Sequence, residues 1–202
     1  MGFFDKLFSK KAENDIKQAV KNDIKTNDQQ RKKEQGTTKF TFSQLPNNLN
    51  ELKSLSEASM DTPFKTAALT ILSLCIYSKN KDEGIKCLNF LRGPHQKPML
   101  PSEIQFIDDR FRDSGSGKLI PFSYFNGANP DNEYTPSKPY VLELFTNSHS
   151  YEQDTYCTLH IYSGGADSER QIKLRVASGT WYLWEQYVMV GIKPPKSQNP
   201  WG

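Results

Sequence analysis

Residues 171–176, QIKLRV, decide the fold. Ile172, Leu174 and Val176 fall on one face of an extended chain, and Gln171, Lys173 and Arg175 on the other. A strict period of two marks a strand with one face in a core and one in water. Ser178-Gly179 then supplies a hairpin turn into a second aromatic run, Trp181 to Trp184. Working backwards, residues 156–162 (YCTLHIY) and 140–146 (YVLELFT) repeat the period, and residues 187–192 offer a further strand before Pro194-Pro195. Short strands in series with turns between them read as an antiparallel meander.

Upstream of Pro121 the period changes. Asn47 or Asn48 caps a short helix with Leu49, Leu52 and Leu55. Asp61 or Thr62, followed by Pro63, opens a mostly apolar helix over 64–77. Residues 80–91 form a third helix with Ile85, Leu88 and Leu91 inward, stopped by Gly93-Pro94. Pro101-Ser102-Glu103 opens a fourth, with Ile104, Phe106, Ile107 and Phe111. Helices first and strands second give an α+β class, with N-terminal helices packed on an antiparallel β-meander. Residues 122–139, rich in Asn, Gly, Pro and Tyr, connect the two halves irregularly.

Ahead of this body lies an arm. Phe4, Phe8, Ala12, Ile16, Val20 and Ile24 recur every four residues, reinforced by Phe3, Leu7 and Ala19, as on an amphipathic helix. Residues 27–38 are polar and aperiodic, as in a linker. The organisation is therefore a helical arm and linker over 1–38 and a single α+β domain over 39–202.

The chain has 202 residues with 26 Lys+Arg against 23 Asp+Glu. Nine of those basic and six of those acidic residues lie at or before Thr38, which leaves 17 of each sign in the body. A neutral body offers no broad basic face for nucleic acid. Three cysteines without a Cys-x-x-Cys spacing point to reduced thiols in a cytoplasm, with no disulfide framework. The N-terminus lacks the run of apolar residues a secretory signal needs, and the longest apolar stretch, 67–77, is too short to cross a bilayer. A cytoplasmic location is expected.

No catalytic, cofactor-binding or metal-ligating constellation emerges. Cys75, Cys87 and Cys157 all fall on inward positions, where a thiol packs as a small hydrophobe. Ser114-Gly115-Ser116-Gly117-Lys118 departs from a phosphate loop, because Arg112 replaces its first glycine and Leu119 its Ser/Thr. Asn126, Asn129, Asp131 and Glu133 lack the acidic order of a calcium loop. Asp108, Asp109 and Asp113 alternate with Arg110 and Arg112 as surface ion pairs do.

Candidate binding residues are nonetheless definable. Opposite the inward Cys157 face, Tyr156, His160 and Tyr162 join Lys173 and Arg175 on the outward face of the sheet. Tyr124 and Tyr134 in the long connection, Asp167 in its loop, and Glu185 and Trp201 toward the C-terminus complete a candidate contact surface. Phe3, Phe4, Leu7 and Phe8, beside Lys6, Lys10 and Lys11, suit a helix that docks on a partner or a membrane surface.

Several segments carry a resemblance: LPNNLNELKSL (45–55), PFKTAALTILSLCIY (63–77), LNFLRGP (88–94), FIDDRFRD (106–113), SYFNGANPDNEYTPSKPY (123–140), SGGAD (163–167), WYLWEQ (181–186) and VGIKPPKSQNPW (190–201). Over about residues 43–201 the chain resembles an uncharacterised family of bacterial proteins, mainly from gut Firmicutes, known only as a domain of unknown function. The resemblance implies domain limits and no activity.

The expectation is a non-enzymatic cytoplasmic module that binds a protein partner, needs no cofactor and does not bind nucleic acid. An alternative is an enzyme acting on a small ligand in a cleft between helices and sheet, drawing on His160, Glu185, Tyr124, Arg110 and Asp167. Another is a peripheral protein that docks on membrane through residues 1–25. Composition leaves the oligomeric state open.

Overall fold

Helix formation over PFKTAALTILSLCIYSK follows from its first two residues. In the computed structural model, which describes residues 36–112 and 115–198, Thr62 caps the helix by accepting the Lys65 amide at 3.3 Å, and Pro63 occupies the first turn. The helix, α2 (Pro63–Lys79), has every residue from Thr66 to Tyr77 buried, so it runs through the middle of the core. Its polar residues are satisfied: Thr66 donates to the Trp181 carbonyl, Thr70 to Thr66 and Ser73 to Leu69, at 2.7–2.8 Å. Before it lies α1 (Leu49–Lys53), capped by Asn48, whose side chain accepts the Glu51 amide.

After it comes α3 (Lys81–Arg92), capped by Asn80, and then α4 (Pro101–Arg112). Gly84 permits the close approach of α2 and α3, since a Cβ there would stand 2.3 Å from the Cβ of Tyr77. The four sequence-predicted helices are all present, within one or two residues of their expected ends.

The sheet has five antiparallel strands in chain order: β1 (Thr37–Phe42), β2 (Tyr140–Phe145), β3 (Tyr156–Ile161), β4 (Arg170–Ala177) and β5 (Thr180–Gln186). Its inner face carries Leu142, Leu144, Cys157, Leu159, Ile172 and Leu174, all buried against the helices. α2 touches β2, β3, β4 and β5. The fold is α+β, as the patterning predicts.

Two strand expectations are corrected. β1 precedes the helices and pairs with β2, so the sheet is not wholly C-terminal. Residues 187–192 form no strand. The Gln186 side chain accepts the amides of Val188 and Met189, at 3.1 and 3.3 Å, and both residues turn into the core. A side-chain acceptor thus replaces the ladder that a sixth strand would need.

β5 is an edge strand, and three of its outward backbone groups are covered. The Trp181 amide donates to the Met60 carbonyl, Thr66 donates to the Trp181 carbonyl, and the Gln96 side chain donates to the Leu183 carbonyl at 2.7 Å. Covering an edge in this way blocks pairing with a foreign strand. It also ties the loop after α3 to β5, and two clefts form beside that join.

Candidate functional site

On the outer face of the sheet, Tyr156, Lys173 and Arg175 lie together. The Lys173 ammonium lies 4.9 Å from the Tyr156 ring centroid and the Arg175 guanidinium 5.4 Å from it. Arg175 also sits 5.1 Å from the Trp184 ring, which meets Tyr156 edge-on at 5.6 Å. These cations are held over aromatic faces instead of by carboxylates. Tyr162 is exposed and stacks on Phe145, with centroids 5.0 Å apart.

His160 departs from the expected solvent-facing surface. It is on the outer face but only 3% exposed, stacked under Phe145 with centroids 5.5 Å apart. Its Nδ1 has no hydrogen-bond partner and lies 3.8 Å from a Glu169 carboxylate oxygen. Burial pushes its pKa below the usual imidazole value, and Glu169 offsets only part of that.

Tyr124 and Tyr134 are also interior residues. Tyr124 donates to the Val188 carbonyl and Tyr134 to the Lys193 carbonyl, each at 2.5 Å, so the long connection is pinned to the C-terminal segment. Burial and these bonds remove both phenols from any contact surface. Asp167 is exposed and ion-paired with Lys193 at 2.6 Å. Trp201, and Phe3, Phe4, Leu7 and Phe8, lie outside the described residues.

The oxygen-rich loop is used locally: Asn129 caps the turn Pro130–Asn132, and Asp131 pairs with Lys196 at 2.8 Å. Among the described residues, no group of three or more His, Cys, Asp or Glu is placed to hold a metal ion. The three cysteines are buried and form no disulfide among the described residues, and burial pushes Cys87 up to about 12.

Of the five proposed enzyme residues, Glu185 lines a cleft that the helices form with the sheet. That first cleft, of about 380 Å³, opens between α3, α4 and the end of β5. Phe106, Trp184 and Tyr187 form its aromatic walls. Arg92 meets Glu103 across it at 2.7 Å, and the other Glu103 oxygen accepts the Leu100 amide. Burial raises the Glu103 pKa, but the Leu100 amide and the Arg92 guanidinium outweigh it and hold the carboxyl below its ordinary value. Tyr187 donates to Glu185 at 2.6 Å, and this bond with the carboxylate, together with burial, raises the phenol's pKa. Neither His160, Tyr124, Arg110 nor Asp167 lines this cleft. Arg110 instead rests against the Phe106 ring, at 5.2 Å.

A second cleft, of about 300 Å³, lies on the other side of Arg92 and Trp184. His95, Gln96, Arg175 and Tyr182 line it with them, and His95 meets Tyr182 edge-on at 5.9 Å. Of these residues the sequence singles out Arg175 by itself, and Tyr182 and Trp184 only as part of the aromatic segment that begins at Trp181. The density of aromatic residues in WYLWEQ was the available signal. Arg92 and His95 carried none, because their role depends on the loop after α3 folding onto β5.

Residues 44–196 match the model of a family described as a domain of unknown function, DUF6935. The match spans well over half of the chain, and the chain belongs to that family. Neither curated proteins nor solved structures yield a match to the chain. No helix among the described residues is long and apolar enough to cross a membrane.

Proposed function

We propose that this family member is a non-enzymatic protein-interaction module of the bacterial cytoplasm, and that the first cleft takes a bulky apolar side chain from a partner peptide. The observation that carries this is the distribution of exposed apolar side chains. Phe106 and Tyr187, 45% and 51% exposed, line the cleft, and Leu100, 53% exposed, follows its lining residue Met99. Large apolar groups gathered at the rim of a concave site mark a surface that gains by being covered. Their walls are α4 and β5, elements that hold a pocket's shape, and an anchor residue buried in a pocket is how most interface energy is concentrated. The Arg92–Glu103 pair at the wall offers polar points for orienting the peptide backbone. The cytoplasmic setting rests on cysteines that form no disulfide among the described residues, and the bacterial one on the sequence resemblance.

Selection of a random peptide library on the full-length protein tests the reading. Enriched peptides should share a bulky apolar residue and bind Phe106→Ser at least tenfold more weakly, with an unchanged melting temperature. No enrichment, or enriched peptides that bind Phe106→Ser equally well, overturns it.

Docking on membrane is a second role that the sequence of the arm favours, through Phe3, Phe4, Leu7 and Phe8 beside three lysines. Liposome flotation of the full chain against one beginning at Thr38 separates the roles. Equal flotation of the two removes the membrane proposal.

A further inference from the structure

The second cleft brings three basic side chains together from three parts of the fold. Arg92 ends α3, His95 lies in the loop that follows, and Arg175 stands on β4. Among the described residues, no carboxylate lines this cleft. Arg175 has no ion pair among the described residues. Its guanidinium is instead fixed between Tyr156 and Trp184, at 5.4 and 5.1 Å from their centroids. Arg92 gives one terminal nitrogen to Glu103 on the side of the first cleft, while its Nε is buried without a partner.

The remaining walls are flat. Trp184 and Tyr182 present aromatic rings, and Gln96 is already committed to the Leu183 carbonyl, which holds the loop in place. Guanidinium groups match carboxylate and phosphate oxygens in geometry as well as charge. A volume of about 300 Å³ lies at the lower end of the range for small-molecule sites.

We propose that the second cleft binds a small organic anion, a carboxylate or phosphate carried on a planar ring. The anionic group is held by Arg92, His95 and Arg175, and the ring lies against Trp184 and Tyr182. The site shares the walls Arg92 and Trp184 with the peptide cleft but adds His95 and Arg175, which that cleft lacks, and it stands whether or not the first cleft takes a peptide.

Titration of the full-length, ¹⁵N-labelled protein with phenyl phosphate, benzoate, sodium phosphate and phenol tests it by NMR. Phenyl phosphate or benzoate should shift the Trp184 indole resonance saturably, together with the His95 amide. Sodium phosphate should bind at least tenfold more weakly, and phenol should cause no saturable shift. Arg175→Gln should weaken the aryl anion at least tenfold with an unchanged melting temperature, whereas Lys39→Gln, on β1 at the opposite edge of the sheet, should stay within twofold. The proposal is overturned if neither aryl anion shifts Trp184 saturably at millimolar concentration. Unaltered affinity in Arg175→Gln, or equal loss in Lys39→Gln, overturns it as well.

Discussion

Gly93 lies against the face of Tyr182 more closely than any side chain allows: a Cβ on Gly93 would stand 2.2 Å from Tyr182 Cε1. Gly93 also ends α3 with φ +68°, a left-handed conformation, while its amide donates to the Phe90 carbonyl at 3.1 Å. One residue thus stops the helix, turns the chain and seats the loop on β5. The second cleft exists because of this contact, since Arg92 and His95 flank Gly93 on either side.

Gly93→Ala should therefore affect both stability and the cleft. The positive φ and the lost space together should lower stability by about 1–3 kcal/mol. Urea denaturation measures that cost. Retention of wild-type stability would mean that Tyr182 moves aside freely, and a changed Trp184 fluorescence would register such a movement.

The pH dependence of stability should carry a component from His160. Burial holds its folded pKa below the unfolded value of about 6.5, with Glu169 opposing only in part. Between those two values the unfolded chain binds a proton that the folded one does not. The contribution is therefore fully present above about pH 6.5 and is lost as the pH falls toward the folded pKa. Denaturation midpoints from pH 7.5 to 5 should fall, and His160→Gln should flatten that part of the profile. An equal slope in the variant would assign the loss to other groups.

Thiol chemistry offers a direct check on the packing. Cys75, Cys87 and Cys157 are buried, and burial raises the pKa of both Cys75 and Cys87. Only thiolate reacts readily, and only where the reagent can reach it. Ellman's reagent should release less than one equivalent within an hour from the native protein at pH 8 and three equivalents in guanidinium. Rapid labelling of one thiol in the native protein would contradict the packing of its element.

Why some of this was legible in the sequence and some was not follows from range. The cap at Thr62, the alternation in 171–176 and the turn at Ser178-Gly179 are local, and each produced the element its residues predict. β1 is six residues with one polar face, next to a polar segment, so its pairing with β2 about a hundred positions later left little local trace. His160 had the right period for an outward face; its burial comes from Phe145 on the neighbouring strand. Tyr124 and Tyr134 looked like contact residues because they sit in an irregular connection. Their partners are backbone carbonyls some sixty residues away. The clefts beside β5 depend on three such long-range joins at once, through Met60, Gly93 and Gln96.

Tyr134 and Gly165 form a final testable pair. The Tyr134 hydroxyl donates to the Lys193 carbonyl, and a Cβ on Gly165 would stand 2.2 Å from that hydroxyl and 2.8 Å from Ile192 Cβ. Tyr134→Phe leaves the carbonyl without its donor and should cost about 1–3 kcal/mol. Gly165→Ala forces the phenol aside and should cost about 1–3 kcal/mol through overpacking. In the double variant the missing hydroxyl removes the closest of the new methyl's clashes, while those with the ring carbon Cζ and with Ile192 Cβ, each at 2.8 Å, remain. The two costs should then sum to less than their separate values by at least about 0.5 kcal/mol. Chemical denaturation of the four proteins gives the coupling, and strict additivity would show that the methyl is accommodated by movement of Ile192 instead.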